Sequence, residues 1–169
     1  GVGKEWDLAF VAADPAREGS IAFTPPYLQL DVTFLVRGDS DLRKVTDVDR
    51  VGIRISTGAT AAYTFVLKRQ IKDATLVILS TSKAVQELQA GTMDAMTGLR
   101  DALLRVSSQV TGSRVLPDSF THAQQAIAVP KGHTAALSYL RTYLEERKKD
   151  GFISSSIKKT GAIWASVAY

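Results

Sequence analysis

Two clusters of residues in this chain have side chains and spacing suited to holding a small anion. The first is Arg17, six residues before Phe23, in the stretch DPAREGSIAFTPPY. Its guanidinium is permanently charged, and it follows an apolar run at 8–11 that reads as a strand. The two prolines at 25 and 26 fix φ, remove two backbone donors and force the preceding residue extended, so a stiff connector ending in Tyr27 follows the arginine. A fixed cation beside a stiff connector suits anion capture at the junction of two lobes. The second cluster is Ser56, Thr57, Gly58 and Thr60, between a strand pattern and a helix pattern. Backbone N–H groups at a helix start, helped by the helix dipole and by hydroxyls, make an anion seat, although the same residues serve equally as ordinary helix caps.

Other chemistries fail on spacing. Gly52 and Gly58 imitate a phosphate loop, but five residues separate them instead of four and Ala59 stands where lysine is required. The two histidines, His122 and His133, have no metal-ligand spacing to each other or to carboxylates, so neither a metal nor a cofactor is expected. Gly38-Asp39-Ser40 resembles a serine-nucleophile turn without a downstream acid and histidine to activate it. With no cysteine, thiolate catalysis, disulfides and thiolate metal sites are excluded.

The elements that must position these residues alternate between strand and helix patterns. Strands are expected at 29–36 (QLDVTFLV), 51–55 (VGIRI), 74–80, 93–99, 114–116 and 123–129. Between them lie helical patterns: Ala62, Phe65, Val66 and Arg69 on one face, then 83–90 with Ser82 as cap and Gly91 as terminator, then 101–106. The clearest helix covers 134–149, with Leu137, Leu140 and Leu144 as its apolar stripe and Glu145 paired with Lys149; a short helix at 152–159 follows Gly151. The alternation predicts an α/β fold with a largely parallel sheet. At 169 residues the chain can bury a core as one domain or two small lobes. No apolar run reaches membrane-spanning length, and no secretory signal opens the sequence, so it reads as cytosolic or already processed. The net charge of +4 is dispersed, without the clustered stripe or interleaved aromatics of a nucleic-acid face.

In combination these segments resemble a type II periplasmic solute-binding protein, in the branch serving amino acids and related small acids (solute-binding family 3). WDLAF, Arg17 six before Phe23, and FTPPY resemble the end of that family's first-lobe segment. VGIRISTG resembles the strand and anion loop that open its second lobe, LQAGTMDAM its helix–Gly–Asp-Ala pattern, and AIAVPKG the strand returning to lobe one. The resemblance covers the whole chain, but the family's first β-α-β unit, before WDLAF, has no counterpart. It implies a two-lobed clamshell, N-terminally incomplete, with lobe one at 1–30 plus 126–169 and lobe two at 31–125.

The resemblance implies an extracytoplasmic or periplasmic component of an ABC importer that captures a small carboxylate or amino-acid-like ligand and docks on a membrane permease. Self-association through the incomplete lobe is a further expectation, since unpaired sheet edges associate. Arg17 matches the arginine that forks onto the ligand carboxylate, with Tyr27 and Gln124 or Gln125 as additional ligand contacts. Family members that bind amino acids place an aspartate about five residues after Asp-Ala; here the position is Leu99, beside Arg100, with Asp101 two residues on. An ammonium ligand would meet no carboxylate at Leu99, so the resemblance favours an acid without a free ammonium. Two alternatives share the fold: a cyclohexadienyl-dehydratase-like enzyme, for which no catalytic acid stands out, and a ligand-sensing receptor domain.

Overall fold

A computed structural model describes residues 6–13 and 17–169. Residues 1–5, and residues 14–16 of the arginine loop, lie outside the described residues. The chain divides into two compact units, Gly1–Leu30 with Ala123–Tyr169, and Asp31–His122. No helix among the described residues is long and apolar enough to cross a membrane.

The discontinuous unit is organised by β8 (Thr121–Pro130), the strand carrying AIAV. It pairs antiparallel with β1 (Ala9–Ala12), in register Ala9 with Ala128, and with β2 (Ile21–Phe23), in register Phe23 with Ala128. The proline connector does not leave the sheet. Thr24 N–H donates to Ile127 O at 2.9 Å while the Thr24 hydroxyl accepts from Ile127 N–H at 3.0 Å, and Tyr27 N–H resumes the ladder on Gln125 O at 2.9 Å. A threonine side chain thus supplies a ladder bond immediately before two residues that cannot donate. β3 (Leu28–Arg37) begins here, its first residues paired antiparallel with β9 (Ala165–Val167). α4 (Thr134–Lys149) and α5 (Phe152–Thr160) complete the unit, with Leu144 and Ile153 buried. In α4 the stripe of Leu137, Leu140 and Leu144 faces inward as expected, and Glu145 pairs with Lys148 instead of Lys149.

The contiguous unit is a sheet between helices. β4 (Arg54–Thr57) runs parallel to β5 (Thr75–Ile78) on one side and to β6 (Ala95–Leu99) on the other; β6 and β7 (Ser113–Val115) both pair antiparallel with β3. Alternate residues of one strand face opposite sides. Phe34, Val36, Ile55 and Ala95 therefore enter a core with Leu67 of α1 (Ala62–Gln70), Leu42, Val48 and Leu116. Leu35 and Met96 enter a second core with Ala84 and Leu88 of α2 (Thr81–Gln89) and Leu103 of α3 (Arg100–Gln109).

Several expectations need correction. Among the described residues parallel pairing joins β5, β4 and β6, the strands linked through α1 and α2, whereas β1 and β2 pair antiparallel with β8, and β6, β7 and β9 pair antiparallel with β3. The strand expected at 51–55 begins later, because Val51 lies in a turn and is 86% exposed. In α1 the buried residues are Thr64 and Leu67, while Phe65 faces out. Ser80, not Ser82, caps α2: its hydroxyl accepts from Lys83 N–H, and Ser82 lies within the first turn. Gly91 terminates α2 as expected, at φ +75°, a conformation that favours glycine.

Candidate functional site

In the contiguous unit the candidate residues gather at one edge of the sheet. β4 and β6 are parallel neighbours, with Ser56 beside Met96, so both strands end on the same side. β4 delivers Thr57, Gly58 and Thr60 to the start of α1; β6 delivers Leu99 and Arg100 to the start of α3. The carboxyl edge of parallel strands, where chains turn into helix N-termini, is where α/β sheets bind small ligands.

The β4–α1 corner is built from hydroxyl chemistry. Ser56 and Thr57 are 0% and 3% exposed. Ser56 Oγ donates to Ala95 O at 3.3 Å, which ties β4 to β6. Thr64 Oγ1 donates to Gly58 O at 2.7 Å and lies 2.8 Å from Thr57 Oγ1. Thr64 has a single hydroxyl proton, so Thr57 must be the donor of that second bond. These hydroxyls therefore point inward and hold the loop. What remains outward is the exposed Thr60, the loop backbone from Gly58, and the first turn of α1, whose N-cap Ala61 offers no side-chain cap. Lys68 and Arg69 in the last turn complement the opposite end of the dipole.

Tyr63 and Thr64 were not singled out from the sequence. Tyr63 lies in that first turn with its phenol pushed up by burial, so it is a neutral donor. The signal for Thr64 was a hydroxyl seven residues after Thr57, spanning a strand end and the first turn of the next helix. Thr97, 4% exposed on β6, follows the Met96 that pairs with Ser56, and its hydroxyl has no hydrogen-bond partner among the described residues.

At the β6–α3 corner Arg100 reaches three acceptors within the contiguous unit. Its Nε donates to Asp31 Oδ2 at 3.0 Å, Nη1 to Leu116 O at 2.8 Å and Nη2 to Asp118 O at 2.9 Å, and the side chain is 13% exposed. A guanidinium with three protein acceptors in place holds this corner of the fold together. Leu99 is half-buried and serves as N-cap of α3 without a side-chain bond. Asp101, in the first turn of α3, accepts from Arg105 at 3.0 Å through Oδ2, while Oδ1 is buried without a hydrogen-bond partner among the described residues. The corner is tight: a Cβ on Gly98 would come 2.8 Å from Leu103 Cδ2, so Leu103 would have to shift to admit a larger residue.

In the discontinuous unit, Arg17 is exposed and its carbonyl accepts from Ser20 N–H at 3.1 Å. Tyr27 is half-buried, its ring edge-on to Phe10 at 6.3 Å, and burial pushes its phenol pKa up. Gln124 Nε2 donates to Gln29 Oε1 at 3.2 Å, and Gln29 Nε2 donates to Ser166 Oγ at 2.9 Å, an amide ladder across three strands. Two surface grooves of the contiguous unit, about 640 Å³ along α2 and α3 and about 550 Å³ beside Phe34 and Phe120, include none of the predicted residues. Among the described residues no group of three or more histidine or carboxylate side chains is placed to hold a metal.

No protein-family profile matches the chain, and no curated protein matches it in sequence. Solved structures match it in fold. The putative binding component of an ABC transporter from Wolinella succinogenes, complexed with lysine, superposes at TM-score 0.73 with 21% identity, over 92% of this chain and 70% of that one. The ancestral amino-acid-binding protein AncCDT-1, a precursor of cyclohexadienyl dehydratase, gives 0.69 with 20% identity, over 92% and 68%. The periplasmic VFT2 domain of Bordetella pertussis BvgS gives 0.68 with 23% identity, over 83% and 62%. The chain thus spans about two thirds of the length of these structures. Its architecture is the α/β fold of type II periplasmic binding proteins, shared with amino-acid ABC transporter substrate-binding proteins.

Proposed function

We propose that this protein is an extracytoplasmic solute-binding component of an ABC importer, capturing a small carboxylate or amino-acid-like ligand in a cleft between two lobes. The observation that carries this reading is the convergence of the β4–α1 and β6–α3 corners at the carboxyl edge of parallel strands, on a fold whose solved examples include amino-acid-binding proteins. Lobe one is assigned to 1–30 and 126–169, lobe two to 31–125. Arg17 forks onto the ligand carboxylate from lobe one, and the first turn of α1, with Thr60, receives it from lobe two. Tyr27 and Gln124 supply secondary polar contacts. The ligand favours the closed form because only there do both sets of donors reach it, and the closed form docks on a membrane permease.

The ligand class follows from Leu99. A leucine provides no counter-ion for an ammonium, and Asp101 is paired with Arg105. Small acids without a free α-ammonium are therefore favoured over standard amino acids. A thermal-shift screen tests this: mono- and dicarboxylates should raise Tm, and a screen in which amino acids alone do so overturns the ligand assignment. Arg17→Ala should weaken binding by roughly a hundredfold, from about 3 kcal/mol for a desolvated carboxylate left unpaired. Calorimetry showing unchanged affinity removes Arg17 from the site. Turnover of prephenate or arogenate in the same samples would replace the transport reading with an enzymatic one.

A further inference from the structure

The contiguous unit begins at Asp31 on β3 and ends at His122 on β8, and these two residues touch: His122 Nε2 lies 3.3 Å from Asp31 Oδ1. The other carboxylate oxygen of Asp31 accepts from Arg100 Nε at 3.0 Å. Arg100 carries the connection onward, donating to Leu116 O and Asp118 O. Asp118 O also accepts from Thr33 Oγ1 at 2.6 Å, the Asp118 carboxylate accepts from Val45 N–H at 3.0 Å, and Phe120 N–H donates to Val32 O at 3.1 Å. β3, β8, the start of α3 and the segment between β7 and β8 are thereby joined through one carboxylate and one guanidinium. The planar guanidinium fork reaches acceptors in several directions at once, which an ammonium cannot reproduce.

We propose that Asp31, Arg100 and His122 form a staple that holds β3 rigid from Asp31 onward and β8 rigid up to His122, confining any bending of these two strands to Leu30, Ala123 and the residues beyond. Arg100 is a positioning residue here, with no ligand contact required, and the inference does not depend on what the protein binds.

Hydrogen exchange resolved by residue tests it. The Phe120 amide, bonded to Val32 O beside the staple, reports local opening, and the Leu79 amide, bonded to Thr57 O at 3.0 Å at the far end of the sheet order, is the reference away from the staple. In Arg100→Met and in Asp31→Asn, the exchange rate of Phe120 relative to Leu79 should rise about tenfold or more, the scale set by losing a charge-assisted bond. Arg100→Lys should fail to restore the original ratio. His122→Asn removes only the outer arm and should raise the ratio by a smaller factor; it keeps the test available if the other variants do not fold. A ratio unchanged in Arg100→Met and Asp31→Asn, or in His122→Asn where only that variant folds, overturns the staple. So does full rescue by lysine.

Discussion

Replacing Gly98 with alanine probes the corner on which the candidate site stands. The added Cβ would lie 2.8 Å from Leu103 Cδ2 and 3.0 Å from its Cγ, with Cδ1 at 3.6 Å. Leu103 is 1% exposed, packed with Leu35, Leu88 and Met96, so it has little room to retreat. The nearest atoms end a side chain and not a backbone, which places the overpacking cost near the lower end of its range, about 1–2 kcal/mol. Leu103→Ala alone should cost more, about 2–5 kcal/mol, through lost burial and the cavity left behind. The informative measurement is the double mutant. With Leu103 truncated, the three atoms nearest to the new Cβ are gone, so Gly98→Ala should cost much less in that background. Urea unfolding of the four proteins of the cycle should therefore show a coupling of about 1–2 kcal/mol, with m-values unchanged. A Gly98→Ala cost that is equal in both backgrounds would show that the corner is not set by this contact. The close approach of α3 to β6 would then need another cause.

Two further predictions concern polar groups. Asp94 is buried enough to push its carboxyl pKa up, but bonds from the Arg54 side chain (3.0 Å) and backbone (2.9 Å) and the charges of Arg54 and Arg37 outweigh this, and the net shift is downward. A carboxylate depressed on folding stabilises above its unfolded pKa and loses that contribution as pH falls through the folded one. The stability gap between the parent and Asp94→Asn should thus be present at pH 7 and shrink below about pH 4, and a gap independent of pH in urea titrations would refute the pairing. In the β4–α1 corner, Thr64→Val strands both the Thr57 hydroxyl and Gly58 O, at a cost of about 1–3 kcal/mol, whereas adding Thr57→Val should recover part of it. Additive losses in chemical denaturation would count against the hydroxyl chain.

The parts of this fold that were legible in the sequence are those with many repeats of a period. β3 spans ten residues with β-branched and aromatic side chains, and the sequence pattern located it to within a residue. α4 was found at its observed bounds because its leucine stripe runs from a proline-glycine turn to Gly151. β2 and β9 were missed; each has three residues, too few for an alternation to register. Phe65 misled the reading of α1 because hydrophobicity alone cannot reveal that Thr64, bonded to Thr57, turns the helix inward. The same limit applies to the candidate site. Its location on the strand-to-helix corners followed from chain order, but which hydroxyls point out, and that Arg100 spends its donors on Asp31, Leu116 and Asp118, depend on partners far away in sequence. Likewise Thr24, which keeps the proline connector on β8, bonds to a residue more than a hundred positions along the chain.

The division of the chain has a kinetic consequence. The unit Asp31–His122 is contiguous, and its parallel strands are linked by short helical crossovers, so its loop-closure cost is modest. The other unit is assembled from two segments separated by that entire stretch, and β1 and β2 have no ladder partner among the described residues until β8 arrives. During synthesis β1 and β2 cannot pair with β8 until the inserted unit has been made and brings the ends together. The inserted unit thereby acts as an internal template: it converts a distant pairing into a local one. Substitutions that slow its folding should lengthen the period in which the leading strands are open to aggregation, even where the final stability is unchanged.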